Sequence, residues 1–244
     1  MKFIGVIPAR YDSQRFPGKP LSLIKGQSMI TRVYRGAIQC DQISEVWVAT
    51  DDTRIFSHCQ SQDIPVVMTS KDHKSGTDRV AEVALAKDAD VFINIQGDEP
   101  FLPVTHIEKL IAAFSNETVE IATLAAPISD DEDRSNPNVV KVVKRMDGRA
   151  LYFSRSTVPF NRGEIHPIQY WQHLGVYAYR RSTLLRLTSL KVSALEAAER
   201  LEQLRWLESG FDVQVCHVEE GTIGIDTAAD VGRVLLWMEK MGIP

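Results

Sequence analysis

Short apolar segments alternate with segments of helical periodicity through the first half of the chain. The apolar segments have the length of buried strands and end at turn residues; they lie at residues 3–8, 45–50, 66–68 and 91–95. Between them, apolar residues recur at helical spacing, for example at residues 29–39. This alternation predicts a parallel, Rossmann-like α/β sheet. In such a sheet, ligands bind at the carboxyl ends of the strands.

The loop after the first predicted strand, residues 9–20, is basic and unsuited to a helix interior. It contains three cations, two prolines and a glycine, namely Arg10, Arg15, Lys19, Pro17, Pro20 and Gly18. Arginine and lysine bind phosphate by charge-assisted hydrogen bonds, so a polyphosphate site is favoured over a solvated basic loop. The loop is not a Walker A motif, because Pro20 stands where that motif has serine or threonine.

The segment Ser75-Gly76-Thr77-Asp78-Arg79 precedes a helix with apolar periodicity. Ser75 or Thr77 is a suitable N-cap for that helix. A glycine beside hydroxyl groups at a helix start also presents free backbone N–H groups to an anion or to the edge of a base. The two roles are compatible, and the local pattern does not choose between them. For Asp51 and Asp52, helix capping is the favoured interpretation.

Acidic residues follow the fourth predicted strand and recur near the end of the chain. Gln96-Gly97-Asp98-Glu99-Pro100 holds two adjacent carboxylates. Asp98 suits Mg²⁺, which takes one or two carboxylates together with phosphate oxygens and water; the alternative is a solvated polar turn. Asp226 or Thr227 caps the last predicted helix, and a cap needs only one of them. Asp226 completes a metal site with Asp98 if their strand ends meet.

The second half of the chain has a less regular order. Strands are indicated at residues 121–127, 139–144, 150–155, 173–179 and 213–218, helices at residues 182–189, 194–209 and 229–241, and a polar loop at residues 161–169. His173, taken alone, is more typical of a structural histidine than of a ligand contact. Glu202 and Arg205 lie one helical turn apart, which favours a surface ion pair.

The composition argues against several classes of protein. A net charge of −4 over 244 residues does not suit a nucleic-acid binder. The apolar segment at residues 1–9 is too short for a signal peptide or a membrane span. Cys40, Cys59 and Cys216 are far apart and show no C-x-x-C spacing, which favours a reducing cytoplasm over a disulfide framework or a zinc site.

Together, these segments resemble the 3-deoxy-D-manno-octulosonate (Kdo) cytidylyltransferase family, or CMP-Kdo synthetases. The blocks that carry the resemblance follow one another along nearly the whole chain, at residues 9–20, 75–79, 96–100, 138–143, 151–155, 173–177, 201–205 and 224–227. The resemblance implies a nucleotide-diphospho-sugar transferase fold, a Rossmann-like, mostly parallel mixed sheet with an inserted sugar-binding and dimerisation region. It implies a single domain over residues 1–244, with a nucleotide-binding core at 1–128 and 205–244 and the sugar and dimer region at 129–204.

The resemblance also implies a reaction. CMP is transferred from CTP to the anomeric hydroxyl of Kdo, with release of pyrophosphate, for lipopolysaccharide synthesis. Mg²⁺ is the implied cofactor, a homodimer the implied assembly and the cytoplasm the implied compartment. The alternatives are a cytidylyltransferase for 8-amino-Kdo or for a sialic-type acid, and a non-catalytic nucleotide sensor. Glu99 favours Kdo over the amino sugar, because the relative that uses the amino sugar is expected to have glutamine there.

Roles for individual residues follow from the same resemblance. The residues implied for nucleotide binding are Ala9, Arg10, Lys19, Ser75, Gly76, Thr77 and Arg79. Those implied for the sugar are Arg15, Gln96, Arg155, His173, Tyr177, Glu202 and Gln203. Asp98 and Asp226 are implied to hold Mg²⁺ and, with Arg15 and Lys19, to form the catalytic group. In-line attack on the α-phosphorus needs positioning and charge stabilisation, not a covalent nucleophile, so no general base is assigned.

Overall fold

The computed structural model describes residues 1–12, 16–163 and 168–243. In chain order, the strands are β1 (Phe3–Ala9), β2 (Leu23–Ile24), β3 (Gln27–Ser28), β4 (Glu45–Thr50), β5 (Val66–Met68), β6 (Val91–Asn94), β7 (Ile121–Ile128), β8 (Lys141–Lys144), β9 (Ala150–Ser154), β10 (Tyr170–Arg180) and β11 (Gln214–His217). The helices are α1 (Met29–Ala37), α2 (Thr53–Ser61), α3 (Gly76–Ala86), α4 (Val104–Ala113), α5 (Asp131–Ser135), α6 (Arg181–Leu187), α7 (Ala194–Glu199), α8 (Gln203–Glu208) and α9 (Ala228–Met241). A 3-10 turn covers Lys19–Leu21.

The chain divides into two compact units. The first unit comprises residues 1–108 and 222–244, and the second comprises residues 109–221. The boundaries of these units are at 108/109 and 221/222. The nucleotide and sugar regions implied by the family resemblance are divided at 128/129 and 204/205. β7 and β11 belong to the second unit because β7 pairs with both β10 and β11.

The first unit is built on parallel strands in the order β6–β1–β4–β5. β1 pairs with β4 on one side, where Ile4 lies opposite Glu45, and with β6 on the other, where Phe3 lies opposite Val91. Ile4, Val6 and Ile7 of β1 are fully buried. A strand buried on both faces is typical of a parallel sheet covered by helices, and the predicted mostly parallel α/β fold is confirmed.

Capping side chains fix where the helices of the first unit begin. The Asp52 carboxylate accepts from the backbone N–H of Arg54, so Asp52 caps α2. Ser75 and Asp78 form a capping box at the start of α3, with Ser75 Oγ 3.1 Å from the Asp78 nitrogen. Thr227 directly precedes α9, and Asp230 accepts from its backbone N–H. Asp226 is therefore not the cap.

The second unit is mainly antiparallel. β7 pairs antiparallel with β10 and parallel with β11, while β8 and β9 form an antiparallel pair that joins β10 at Lys141 opposite Gln172. Of the polar loop predicted at residues 161–169, residues 164–167 lie outside the described residues.

The prediction of one continuous helix over residues 194–209 is wrong, because the structure has two helices there, α7 and α8. Arg200 ends α7 in the left-handed conformation, with φ of 53°. The Glu199 carbonyl accepts from Arg155 Nε at 2.7 Å, and the Glu199 carboxylate accepts from Ser154 Oγ and from the Arg155 backbone. These contacts hold Glu199 against β9 at the place where the predicted helix would have continued.

Candidate active site

The first unit contains a cavity of about 640 Å³ at the carboxyl ends of β1 and β6. It is lined by Pro8, Ala9, Arg10, Asp12, Lys19, Pro20, His73, Lys74, Ser75, Gly76, Arg79, Gln96, Gly97, Asp98 and Asp226. Three motifs from the first half of the chain thus meet Asp226, near its end, in one place. The meeting of the first three is expected for the carboxyl edge of a parallel sheet.

Two glycines of these motifs lie against Pro8 at the end of β1. A Cβ on Gly97 would lie 2.9 Å from the Pro8 carbonyl oxygen, and a Cβ on Gly76 would lie 3.3 Å from Pro8 Cγ. Any larger residue at position 97 would push the loop after β6 away from β1. Gly97 therefore allows the chain that carries Gln96 and Asp98 to pass close to the end of β1.

Lys19 joins the two acidic residues predicted to hold a metal. Its Nζ lies 2.8 Å from Asp98 Oδ2 and 3.5 Å from Asp226 Oδ1. The backbone N–H of Ile225 donates to the Asp98 carbonyl at 2.9 Å, which fixes the segment around Asp226 beside Asp98. Ile225 is itself fully buried against α1 and α9 residues Met29, Val234 and Met238. The core of the first unit thus sets the position of Asp226.

Gly18 places Lys19 at this point. Gly18 has φ of 73°, which favours glycine, and its N–H donates to the Tyr11 carbonyl at 2.9 Å. The Tyr11 ring lies 3.1 Å from where a Cβ on Gly18 would be, and the Arg54 guanidinium covers that ring at 3.2 Å from its centroid. Arg10 lines the cavity and is exposed, whereas Arg15 lies outside the described residues.

Glu99 follows the cavity residue Asp98, and its environment could not be predicted from the sequence. Its pKa is raised to about 8, first by burial and then by the neighbouring Asp98 carboxylate, with a smaller contribution from Asp226; a hydrogen bond with Thr222 acts in the opposite direction. No sequence signal marks this, because Thr222 reaches Glu99 from the far end of the chain.

Arg79 is committed to contacts within the protein. It is only 4% exposed, and its guanidinium donates to Asp51 Oδ2 at 2.7 Å and also bonds the Thr69 hydroxyl. Asp51 therefore holds Arg79, while Asp52 caps the helix. Thr77 is buried and Ser75 is the helix cap, and Ser75, Gly76 and Arg79 line the cavity.

The second unit brings together most of the residues implied for the sugar. The His173 ring packs against Phe153 and Tyr177, and its Nε2 lies 3.1 Å from Thr123 Oγ1. Burial lowers the pKa of His173 to about 3, so its imidazole is neutral at physiological pH. Burial also raises the pKa of Tyr177, which packs edge-on against Trp206.

Helices α7 and α8 contribute charged and amide side chains of the second unit, among them residues implied for the sugar. Arg205 bonds the Glu202 carboxylate and lies 3.7 Å from Glu196 Oε1. Arg205 is only 8% exposed, so the predicted surface ion pair is in fact a buried one. The Gln203 side chain is buried, and its Nε2 has no hydrogen-bond partner within the described part of the chain.

The Arg155 guanidinium donates hydrogen bonds to backbone carbonyls of the protein. Besides Glu199, its Nη1 donates to the Pro137 carbonyl at 2.9 Å. Gln96, the remaining residue implied for the sugar, belongs to the first unit and lines the cavity there.

The described residues contain no cluster of three or more His, Cys, Asp or Glu side chains arranged for a metal ion. Asp98 and Asp226 form a pair, not a larger cluster. None of the helices in residues 1–12, 16–163 and 168–243 has the length and apolar character needed to cross a membrane.

Comparisons with known proteins give consistent results. The sequence matches the cytidylyltransferase family over residues 4–216. The 3-deoxy-manno-octulosonate cytidylyltransferase of Acidobacterium capsulatum is 47% identical over 234 residues, covering 96% of this chain and 95% of that protein. The protein of the same name from Parabacteroides distasonis is 45% identical over 249 residues, covering 98% of each.

Solved structures show the same relationship. A structure of CMP:2-keto-3-deoxy-manno-octonic acid synthetase complexed with CTP matches with a TM-score of 0.94 and 41% identity, over 99% of this chain and 100% of that one. A cytidylyltransferase from Leptospira borgpetersenii matches with a TM-score of 0.65 at 15% identity, over 98% of this chain and 87% of that one, which shows likeness of fold alone.

Proposed function

Since the chain belongs to the cytidylyltransferase family, we propose that it transfers CMP from CTP to the anomeric hydroxyl of Kdo and releases pyrophosphate. The observation that carries the proposal is the convergence of Lys19, Asp98 and Asp226 in a cavity large enough for a nucleotide. Relatives named for this reaction match nearly the whole chain, which supports Kdo as the acceptor.

In this proposal, the basic loop binds the triphosphate. Arg10 and Lys19 line the cavity, and Arg15 is assigned the same role from the sequence. The backbone and side chains of Ala9, Ser75, Gly76, Thr77 and Arg79 surround the nucleoside. Lys19 and the arginines stabilise negative charge on the phosphates by charge-assisted hydrogen bonds. Because Arg79 is held by Asp51, it contributes mainly by fixing the wall of the cavity.

The residues at the site fit Mg²⁺. Asp98 and Asp226 both lie close to one cation, the Lys19 ammonium, so their carboxylates already converge on a common point. Mg²⁺ accepts one or two protein carboxylates and takes its other ligands from phosphate and water. Asp98 and Asp226 would hold the ion, which would supply positive charge to the phosphates of CTP.

The chemistry then needs only positioned groups. The anomeric hydroxyl oxygen of the sugar attacks the α-phosphorus in line, the bond from that phosphorus to the bridging oxygen breaks, and pyrophosphate leaves. The hydroxyl proton passes to solvent, since no residue is assigned as a general base. Lys19 stabilises the charge that develops on the departing phosphates, and the protein lowers the barrier by orientation and electrostatics.

Residues of the second unit are proposed to bind the sugar acid. His173, Tyr177, Glu202, Gln203 and Arg155 belong to this unit, and Gln96 of the first unit is assigned to the same ligand. The buried amide nitrogen of Gln203 needs a hydrogen-bond acceptor, and the carboxylate or hydroxyl oxygens of a sugar acid supply one. The neutral imidazole of His173 suits a hydroxyl-rich ligand, because it can donate or accept.

We further propose that the protein is a homodimer and acts in the cytoplasm, providing activated Kdo for lipopolysaccharide synthesis. Cys40, Cys59 and Cys216 are free thiols, which supports a reducing compartment. The dimer follows from the family resemblance alone.

The proposed reaction is tested by pyrophosphate release. The protein is incubated with Mg²⁺ and Kdo together with CTP, UTP, ATP or GTP, and CTP is also paired with 8-amino-Kdo and with sialic acid. We expect release only with CTP and Kdo. Release only with another sugar acid would replace Kdo in the proposal. CTP binding without release for any pair would favour the nucleotide sensor.

Replacing Arg155 with alanine is expected to raise KM for Kdo at least about tenfold, equal to about 1.4 kcal/mol, while KM for CTP changes less than about threefold. Arg155 ties Glu199 and Pro137 to its own segment, so its loss disturbs the residues near α7 rather than the cavity of the first unit. Steady-state kinetics with each substrate varied in turn measures both values.

The matched control is Arg149→Ala, which removes an arginine of the same unit that pairs with Asp212. We expect both KM values to change less than about twofold in this control, because partly exposed ion pairs contribute little. Equal increases in KM for CTP and Kdo in Arg155→Ala would contradict the role in sugar binding.

A further inference from the structure

The loop between β5 and α3 forms one wall of the cavity, and neither the sequence nor the comparisons assigns a function to its histidine. His73 and Lys74 of this loop line the cavity beside Ser75 and Gly76. A wall residue with two ring nitrogens can both anchor the loop and contact a ligand. A role for His73 rests on the proposed function and concerns how the nucleotide base is selected.

Glu82 on α3 holds His73 in place. Its carboxylate accepts from the backbone N–H of Ser70 at 2.9 Å and from His73 Nε2. Burial raises the pKa of Glu82, but these two hydrogen bonds and the nearby His73 and Arg79 charges together outweigh it, so the pKa is lowered overall. Glu82 is therefore a carboxylate at neutral pH and binds both ends of the segment from Ser70 to His73.

Arg79 fixes the same loop from the preceding turn of α3. Its guanidinium bonds the Thr69 hydroxyl and the Ser70 carbonyl, the latter at 3.3 Å, as well as Asp51. Arg79 and Glu82 are three residues apart and so lie on one face of the helix. Two side chains from a rigid element thus determine where the His73 ring lies, as a specificity-determining group requires.

The hydrogen bond to Glu82 also determines which ring nitrogen carries the proton. A carboxylate only accepts, so Nε2 of His73 is the donor. In the neutral imidazole, Nδ1 is then an acceptor. An acceptor pairs with an amino group and is repelled by a carbonyl oxygen. Cytosine carries an exocyclic amino group at the position where uracil carries a carbonyl oxygen.

We propose that His73, held by Glu82 on the cavity wall, accepts a hydrogen bond from the exocyclic amino group of cytosine through Nδ1 and thereby selects CTP over UTP. His73 is a specificity-determining residue in this reaction and takes no part in the transfer itself. Glu82 is its positioning residue.

Two substitutions separate the contact with the base from the anchoring of the loop. Glutamine places an amide N–H near the position of Nε2 and keeps a donor for Glu82, but it has no acceptor at the Nδ1 position. Asparagine reaches only the Nδ1 position, where its carbonyl oxygen can accept a hydrogen bond. It cannot make the hydrogen bond to Glu82. We expect His73→Gln to lower the ratio of kcat/KM for CTP to that for UTP at least about tenfold. His73→Asn is expected to retain more of this ratio while raising KM for both nucleotides.

The triphosphate of the pyrimidin-2-one nucleoside, which lacks the exocyclic amino group, tests the contact directly. The wild type should bind this analogue at least about tenfold more weakly than CTP. His73→Gln should bind the analogue and CTP with affinities that are equal within about twofold. An unchanged CTP-to-UTP ratio in His73→Gln would overturn the inference, since a loop anchor alone would weaken both nucleotides equally. Wild-type protein without any preference for CTP would instead contradict the proposed function.

Discussion

The turnover of Asp98→Asn is expected to fall at least about 100-fold, while its affinity for CTP changes less than about tenfold. Asparagine keeps an oxygen that accepts from Lys19 Nζ, so the contact of 2.8 Å and the local fold remain. It loses the negative charge needed to hold a divalent cation beside the phosphates. Binding energy from the base, the ribose and the basic loop is unaffected. Single-turnover kinetics and calorimetric titration with CTP give the two quantities separately.

Asp88→Asn is the matched control, because Asp88 is exposed and precedes β6, at the amino end of the strand that leads to Asp98. Its kcat should stay within about twofold of the wild type, as for most exposed substitutions away from special features. Asp226→Asn should behave like Asp98→Asn, with a large loss of turnover and a small loss of affinity. Full activity in Asp98→Asn would eliminate the metal assignment for both carboxylates.

The order of elements in the first unit could be predicted because its strands are locally encoded. β4 and β5 have the predicted bounds, since each is a continuous apolar segment that ends at turn residues. The meeting of the Asp98 segment with the basic loop followed from one topological rule, that parallel strands end at the same edge of the sheet. The structure adds the distances, with Asp98 and Asp226 both within 3.5 Å of Lys19 Nζ.

Contacts between residues far apart in the sequence explain what could not be predicted. The division of the helix at residues 194–209 depends on Arg155, which is 44 residues from Glu199 along the chain. Helical periodicity is a local property and contains no trace of such a contact. Arg79 is similar, because its partner Asp51 is 28 residues away and belongs to a different loop.

The burial of charged side chains is a second property that the local sequence pattern does not reveal. Arg205 and Glu202 have the spacing of an exposed pair, yet Arg205 is buried beside Glu196. The same holds for Glu99, whose pKa is raised mainly by burial. The sequence shows only two adjacent carboxylates, Asp98 and Glu99, and gives no sign that one of them is buried. The family resemblance identified Glu202 as a sugar residue without indicating that it belongs to a buried cluster.

Lys141→Met is expected to destabilise the protein by about 3 kcal/mol, because hydrogen bonds to a charged group contribute about 1.5–3 kcal/mol each and water can replace part of what is lost. Lys141 is fully buried in β8. Its Nζ donates to the carbonyl oxygens of Asn136 at 2.9 Å, Val139 at 2.6 Å and Arg155 at 2.7 Å. Methionine fills nearly the same volume, so the loss reports on these hydrogen bonds rather than on a cavity. The midpoint of thermal unfolding should fall by about 6–12 °C.

Lys144→Met provides the comparison within the same strand. Lys144 is half-buried, and its Nζ lies 5.0 Å from the centroid of the Trp171 ring, a contact worth about 0.5–1 kcal/mol. Its unfolding midpoint should therefore change by no more than about 4 °C. Since Lys141 also binds the carbonyl of Arg155, Lys141→Met should raise KM for Kdo more than KM for CTP, whereas Lys144→Met should change neither. Equal shifts in the unfolding midpoint of the two variants would show that the three carbonyl contacts of Lys141 contribute no more to stability than the single ring contact of Lys144, which would contradict the prediction.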